Sequence, residues 1–216
     1  MTLTGLPVGL GNFIQPRANV LAVTGDENIN VTAADIEIAY LNITPVTVLT
    51  AVDVSAAGCA VHIHHCSFDM YTAAADVGTI GIEFLGASDW ALIDNCYFVC
   101  DDAQGPAMVL GTTNFTVVRD CVIACTNGTW AVAISTGAGG TCNLIENVVF
   151  LCQGTTITDA ITGGASAQGT WTVRGCAFPV LCHELDTFTN DHCELNGNYI
   201  ATIGGGTGGT VVDSTT

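Results

Sequence analysis

Ala91-Leu92-Ile93-Asp94-Asn95-Cys96-Tyr97-Phe98-Val99-Cys100 decides the fold, because its pattern returns along most of the chain. Laid on Cys96, further copies read Val61-His62-Ile63-His64-His65-Cys66-Ser67-Phe68, Thr116-Val117-Val118-Arg119-Asp120-Cys121-Val122-Ile123-Ala124-Cys125 and Asn143-Leu144-Ile145-Glu146-Asn147-Val148-Val149-Phe150-Leu151-Cys152. Weaker copies follow at Trp171-Thr172-Val173-Arg174-Gly175-Cys176-Ala177-Phe178 and Cys193-Glu194-Leu195-Asn196-Gly197-Asn198-Tyr199-Ile200, and a first copy precedes at Ile36-Glu37-Ile38-Ala39-Tyr40-Leu41-Asn42-Ile43. The key positions 41, 66, 96, 121, 148, 176 and 198 lie 25, 30, 25, 27, 28 and 22 residues apart. A period in the twenties built from strand-like segments predicts a solenoid, in which each turn buries its apolar side against its neighbours. The position of Asn95 reads His65, Asn95, Asp120, Asn147, Gly175 and Gly197 down the copies. Asn, Asp and Gly tolerate a left-handed backbone, so this column predicts a sharp bend in every turn. Neither the Leu and Asn spacing of leucine-rich repeats nor a helical 3.6 period is present.

The rung pattern from Asp35 to Ile203 resembles the right-handed parallel β-helix, the pectate-lyase-like fold shared by polysaccharide lyases, polygalacturonases and bacteriophage tailspikes. The resemblance implies an all-β solenoid of about six to seven rungs. It lies in the rungs rather than in an active-site motif, so it speaks to fold before activity.

Composition narrows the function classes. The chain of 216 residues has no lysine, its three basic residues are Arg17, Arg119 and Arg174, and its formal net charge is −17. Nucleic acid and anionic membranes are disfavoured as partners, since both need clustered cations. Yet 49% of residues are apolar and the mean hydropathy is +0.50. No apolar run reaches the length of a membrane-spanning helix, so the excess is expected at subunit contacts. Seven of the eleven cysteines fall into columns: Cys66, Cys96, Cys121 and Cys176 share one, and Cys100, Cys125 and Cys152 share another. They read as stacked core thiols acting as small hydrophobes. Parallel side-chain vectors suit stacking better than disulfides, and Cys-x3-Cys on one flat strand face suits zinc poorly.

Three segments are expected: an N-terminal cap or attachment arm over 1–34, the coil over 35–203, and a Gly-rich tail over 204–216. The early segment contains Pro7, Pro16 and several glycines, with a short strand at Val20-Leu21-Ala22-Val23. A second strand per turn is expected at Thr47–Val52, Thr79–Phe84, Ala107–Leu110, Trp130–Ile134 and Thr158–Ile161, and a longer loop from Cys182 to His192.

Alternation lets the same columns be read for the surface. The column of Asp94 runs His64, Asp94, Arg119, Glu146, Arg174, Asn196, alternating in sign over four rungs, so Asp94, Arg119, Glu146 and Arg174 are expected to form cross-strand ion pairs. The outward columns beside Phe98 carry Tyr97, Val99, Val122, Ala124, Val149, Leu151, Pro179 and Tyr199. A face this apolar predicts an interface between copies or, alternatively, cover by a loop or the N-terminal segment, and the likeness to tailspikes implies a side-by-side homotrimer.

Catalytic groups are sparse. Asp101-Asp102 faintly resembles the Asp pair of polygalacturonases, without the other signatures of that family. A pectate-type lyase needs a base and a calcium-binding carboxylate cluster; with no lysine and two arginines paired, neither is supported. His62, His64 and His65 read as exposed polar residues, and as metal ligands they would need a further partner such as Asp94. Trp90, Trp130, Trp171 and Tyr97 are the candidate platforms for a neutral glycan. The expectation is a non-enzymatic virion protein without cofactor or metal, made in the host cytoplasm and placed on the capsid surface as a decoration protein that grips the capsid protein through its N-terminal residues. The alternative is a tailspike-like glycan-binding or polysaccharide-degrading β-helix.

Overall fold

The computed structural model describes residues 18–21, 27–44, 50–55, 60–70, 79–86, 88–100, 105–126, 129–136, 140–152, 156–163, 170–178, 185–186, 192–200 and 211–213. Strands in these residues form three parallel sheets of eight, seven and eight strands. One strand of each sheet is laid down per turn, so the described residues form an all-β parallel solenoid whose rung count differs slightly from six to seven. Sheet 1 runs through Leu41–Thr44, Ser67–Asp69, Tyr97–Cys100, Val122–Cys125 and Val149–Cys152, sheet 2 through Thr50–Val54, Ile80–Phe84, Met108–Val109, Thr129–Ser135 and Thr156–Thr162, and sheet 3 through Val61–His64, Leu92–Asp94, Val117–Arg119, Asn143–Glu146 and Thr170–Arg174.

Each repeat copy is therefore two strands joined by a corner, one in sheet 3 and one in sheet 1. The expected second strand of the turn is the third, in sheet 2. The corner is the column of Asn95: Tyr40, His65, Asn95, Asp120 and Asn147 have φ between 52° and 60°, and Gly175 and Gly197 have 64° and 61°. A left-handed residue redirects the chain and shifts the inward alternation by one place. Ala91 and Ile93 face the core before Asn95, and Cys96, Phe98 and Cys100 after it. A second left-handed corner precedes sheet 3, at Asp35, Trp90, Phe115 and Cys142, with φ of 58°, 65°, 54° and 59°.

The core consists of ladders one residue wide. Ile43, Phe68, Phe98, Ile123, Phe150 and Phe178 follow one another on sheet 1, Ile63, Ile93, Val118, Ile145 and Val173 on sheet 3, and Val52, Ile82, Met108, Ile134 and Ile161 on sheet 2, all buried. Phe68 stacks on Phe98 with ring centroids 4.5 Å apart, and Phe150 on Phe178 at 5.1 Å. Burying each such side chain stabilises the fold by about 1.5–3 kcal/mol.

The thiols lie in two columns of sheet 1 and its corner. Cys66, Cys96, Cys121 and Cys176 are buried free cysteines just past the corner, and Cys100, Cys125 and Cys152 are mutual register partners at the far end of sheet 1. They do more than fill space. Each corner thiol reaches the carbonyl two residues before it and one in the preceding turn; Cys96 Sγ lies 3.4 Å from Asp94 O and 3.7 Å from Ile63 O. Asn198 takes over the column's role in a later turn, donating from Nδ2 to Val173 O at 2.9 Å.

Pairing continues beyond 35–203 at both ends. Ala18–Leu21 pairs with Leu41–Thr44, Glu27–Val31 with Thr50–Val54, and Val211–Asp213 with His192–Asn196.

Candidate functional site

Two outward faces carry the candidate chemistry. On sheet 3, Glu37, His62 and Leu92 form one register column, and Ala39, His64, Asp94, Arg119, Glu146, Arg174 and Asn196 the next. Strand alternation puts His62 and His64 on the same side, and their rings stack with centroids 4.1 Å apart and planes 27° from parallel. Their polar contacts run diagonally between columns: His62 Nε2 lies 2.7 Å from Asp94 Oδ1, and His64 Nε2 lies 2.7 Å from Glu37 Oε1. Small Ala39 opposite His64 leaves room for the Glu37 side chain. At the corner, His65 Nδ1 lies 2.9 Å from His64 Nδ1, and the Tyr40 ring contacts both, meeting His64 edge to face.

The expectation of exposed histidines therefore fails: His62 and His65 are half-buried and His64 is buried. Asp94 is 7% exposed. Burial pushes its carboxyl up, but hydrogen bonds from His62 and Asn95 and the charges of His62 and Arg119 outweigh that and hold it below its ordinary value. The sign-alternating column pairs two by two. Arg119 Nη2 is 3.5 Å from Asp94 Oδ2 and its Nε 4.0 Å from Asp120, while Arg174 Nε donates to Glu146 Oε1 at 2.8 Å. Such half-exposed pairs contribute about 0.2–1 kcal/mol each.

Beside the histidines runs a groove of ≈ 350 Å³ lined by Asp35, Glu37, His62, Trp90 and Leu92 among others. Trp90, 64% exposed, stacks on Phe115 with centroids 4.4 Å apart and planes at 9°. Trp130 and Trp171 are core residues, and Trp130 Nε1 donates to Gly105 O at 2.9 Å. Of the tryptophans, Trp90 alone presents its ring outward.

The second face is the outside of sheet 1. Ser67, Tyr97, Val122, Val149, Ala177 and Tyr199 are successive register partners, as are Asp69, Val99, Ala124 and Leu151. Tyr97, Val99, Val122 and Val149 are half-buried, Ala124 is buried, and Leu151 is 46% exposed. Pro179 and the pair Asp101 and Asp102 lie outside the described residues.

Sequence reading placed both faces but missed two features. Glu37 was legible, since the first copy puts it opposite His62. The Trp90–Phe115 pair was not, because bulky aromatics are uncommon at a left-handed corner. Compared with known proteins, the chain matches no family model, no curated protein and no solved structure.

Proposed function

We propose that the chain is a non-enzymatic structural protein whose short solenoid stands side by side with two further copies, held through the outer face of sheet 1. The observation that carries this reading is the paired apolar columns at Tyr97, Val122, Val149 and Val99, Ala124, Leu151, kept in register over successive turns. Flat, stiff and apolar, this face offers a second copy a surface that needs no rearrangement to bury. A net charge of −17 beside a mean hydropathy of +0.50 fits a protein that stays dispersed through charge and hides apolar area in contacts. By resemblance to tailspikes, the setting is a bacteriophage virion, where such trimers would decorate the head and add contacts between capsid subunits, the N-terminal residues gripping the capsid protein.

Light scattering on the full chain tests the association. The expected mass is three times 22.2 kDa, and Leu151→Asp together with Val122→Asp should give a folded monomer by circular dichroism. A wild-type monomer at about 50 μM, a concentration at which a standard-sized interface is occupied, would remove the role. Mass spectrometry of purified virions from the source tests the setting, and absence of the chain would count against it.

One observation favours a second reading, a passive glycan-binding module. The exposed Trp90 ring beside the groove is a stacking platform for a neutral sugar. Glycan-array binding that disappears in Trp90→Ala would support it.

A further inference from the structure

We propose that Glu37, His62 and His64 bind one divalent transition-metal ion of the zinc type, stapling two neighbouring turns of the coil. One ligand-capable atom from each of the three residues lies within 4.8 Å of the other two. Zinc bonds of 2.0–2.1 Å at tetrahedral angles set ligand atoms about 3.3 Å apart. No pair has to close by more than about 1.5 Å, the 2.7 Å contact between Glu37 and His64 opens slightly, and the Glu37 side chain, 68% exposed, adjusts by a change of rotamer. Residues two apart on a strand already project to one side, and rotation of the stacked rings about their side-chain torsions turns their nitrogen lone pairs from parallel toward a common point.

The surroundings are those a bound ion needs. His64 Nδ1 meets His65 Nδ1 at 2.9 Å, a contact that fixes the ring and leaves Nε2 for the metal once Nδ1 carries the proton. Without an ion, neutral His64 donates from Nε2 to Glu37 and accepts at Nδ1 from His65 Nδ1; uptake places the His64 proton on Nδ1 and moves the His65 proton to its own Nε2, so that His65 Nδ1 becomes the acceptor. Asp94, 2.7 Å from His62 and itself held by Asn95 Nδ2 at 3.0 Å, adds negative charge next to the cation. The groove bordered by Trp90 and Asp35 reaches Glu37 and His62 from solvent and gives the ion an entry path. Two imidazoles and a carboxylate suit zinc, and the nitrogen donors disfavour magnesium and calcium. Glu37 belongs to Ile36–Ala39 and the histidines to Val61–His64, adjacent strands of sheet 3. The bound ion would therefore tie those turns together.

The test is titration of the full-length protein, kept reduced, with ZnCl2 by calorimetry and with CoCl2 by visible absorption. The expected result is one equivalent of zinc with a Kd of about 10 μM or below, a tetrahedral cobalt band displaced by zinc, and a raised thermal midpoint. Glu37→Gln and His62→Gln, at accessible positions, should each weaken binding about 10-fold or more. Asp120→Asn, an exposed carboxylate elsewhere on the coil, should bind as wild type. No saturable uptake by a folded wild-type protein, or undiminished uptake in folded Glu37→Gln and His62→Gln, would overturn the site.

Discussion

Asn147 holds φ at 53° in the corner between sheets 3 and 1, and its Nδ2 donates to Asp120 Oδ1 at 3.2 Å. A β-branched side chain has no low-energy state there. Asn147→Val should cost about 1–3 kcal/mol in chemical denaturation, whereas Asn147→Gly should stay within about 1 kcal/mol; equal costs would show that the corner does not select for backbone conformation. The neighbouring thiols give a pH signature. Burial, with a smaller contribution from Glu146, pushes the Cys176 thiol up to about 11 against backbone hydrogen bonds that lower it, and Cys96 is raised well above 9.0, first by burial and then by its neighbours Cys121 and Cys66. The folded state thus keeps protons that the unfolded chain releases. This stability is fully present below pH 9.0, the ordinary value, and is lost as pH rises toward 11. By about pH 10.5 the share of Cys176 is about 2 kcal/mol, so the urea midpoint of the wild type should fall further between about pH 8 and 10.5 than that of Cys176→Ala. Matching falls would refute the assignment. Peptide mapping after brief native alkylation should find Cys142, exposed, labelled ahead of Cys66, Cys96 and Cys121.

At the scale of the strand, the ladders and the ion pairs differ in weight. Removing a ring from the sheet 1 ladder leaves a cavity between two turns, and Phe98→Ala should cost about 3–5 kcal/mol by urea denaturation. Arg174→Gln, breaking a pair at a half-exposed arginine, should cost under about 1 kcal/mol. A reversed order would mean that polar columns rather than apolar ones hold the turns together. These ladders were legible in the sequence because a parallel solenoid puts equivalent residues one above another, which turns a repeat into a contact map. The bend was legible too, since Asn, Asp and Gly, which tolerate a left-handed backbone, recur in the column of Asn95. Less legible was the division of each copy into strands of two sheets, because apolar alternation resumes at once beyond the corner. The corner before sheet 3 escaped notice altogether. Trp90, Phe115 and Cys142 sit in conformations that their side chains do not advertise, held by the ladder that joins Asp89 to Asn114 and Asn114 to Thr141. The histidine cluster was half legible, since alternation paired His62 with His64 and the next rung offered Asp94, which lies 2.7 Å from His62, whereas the diagonal contact from His64 to Glu37 went unread.

Across the whole molecule, charge and apolar area pull in opposite directions. Bringing copies with a net charge of −17 side by side is opposed by long-range repulsion, which salt screens. Association through the outer face of sheet 1 should therefore strengthen about tenfold between about 20 and 500 mM NaCl in sedimentation velocity; weakening with salt would point to an ion-paired contact instead. The stacked register also bears on how such a gene can change. Losing a single codon within Tyr97–Cys100 would turn Phe98 or Cys100 to the outside and put a neighbour in its place. Losing residues 121–147 whole would join Asp120 to Val148, corner to corner, and leave every column continuous. The rod then shortens by one layer, about 4.8 Å. Lineages carrying this architecture are free to lengthen or trim it in whole layers, like a ruler cut only at its graduations.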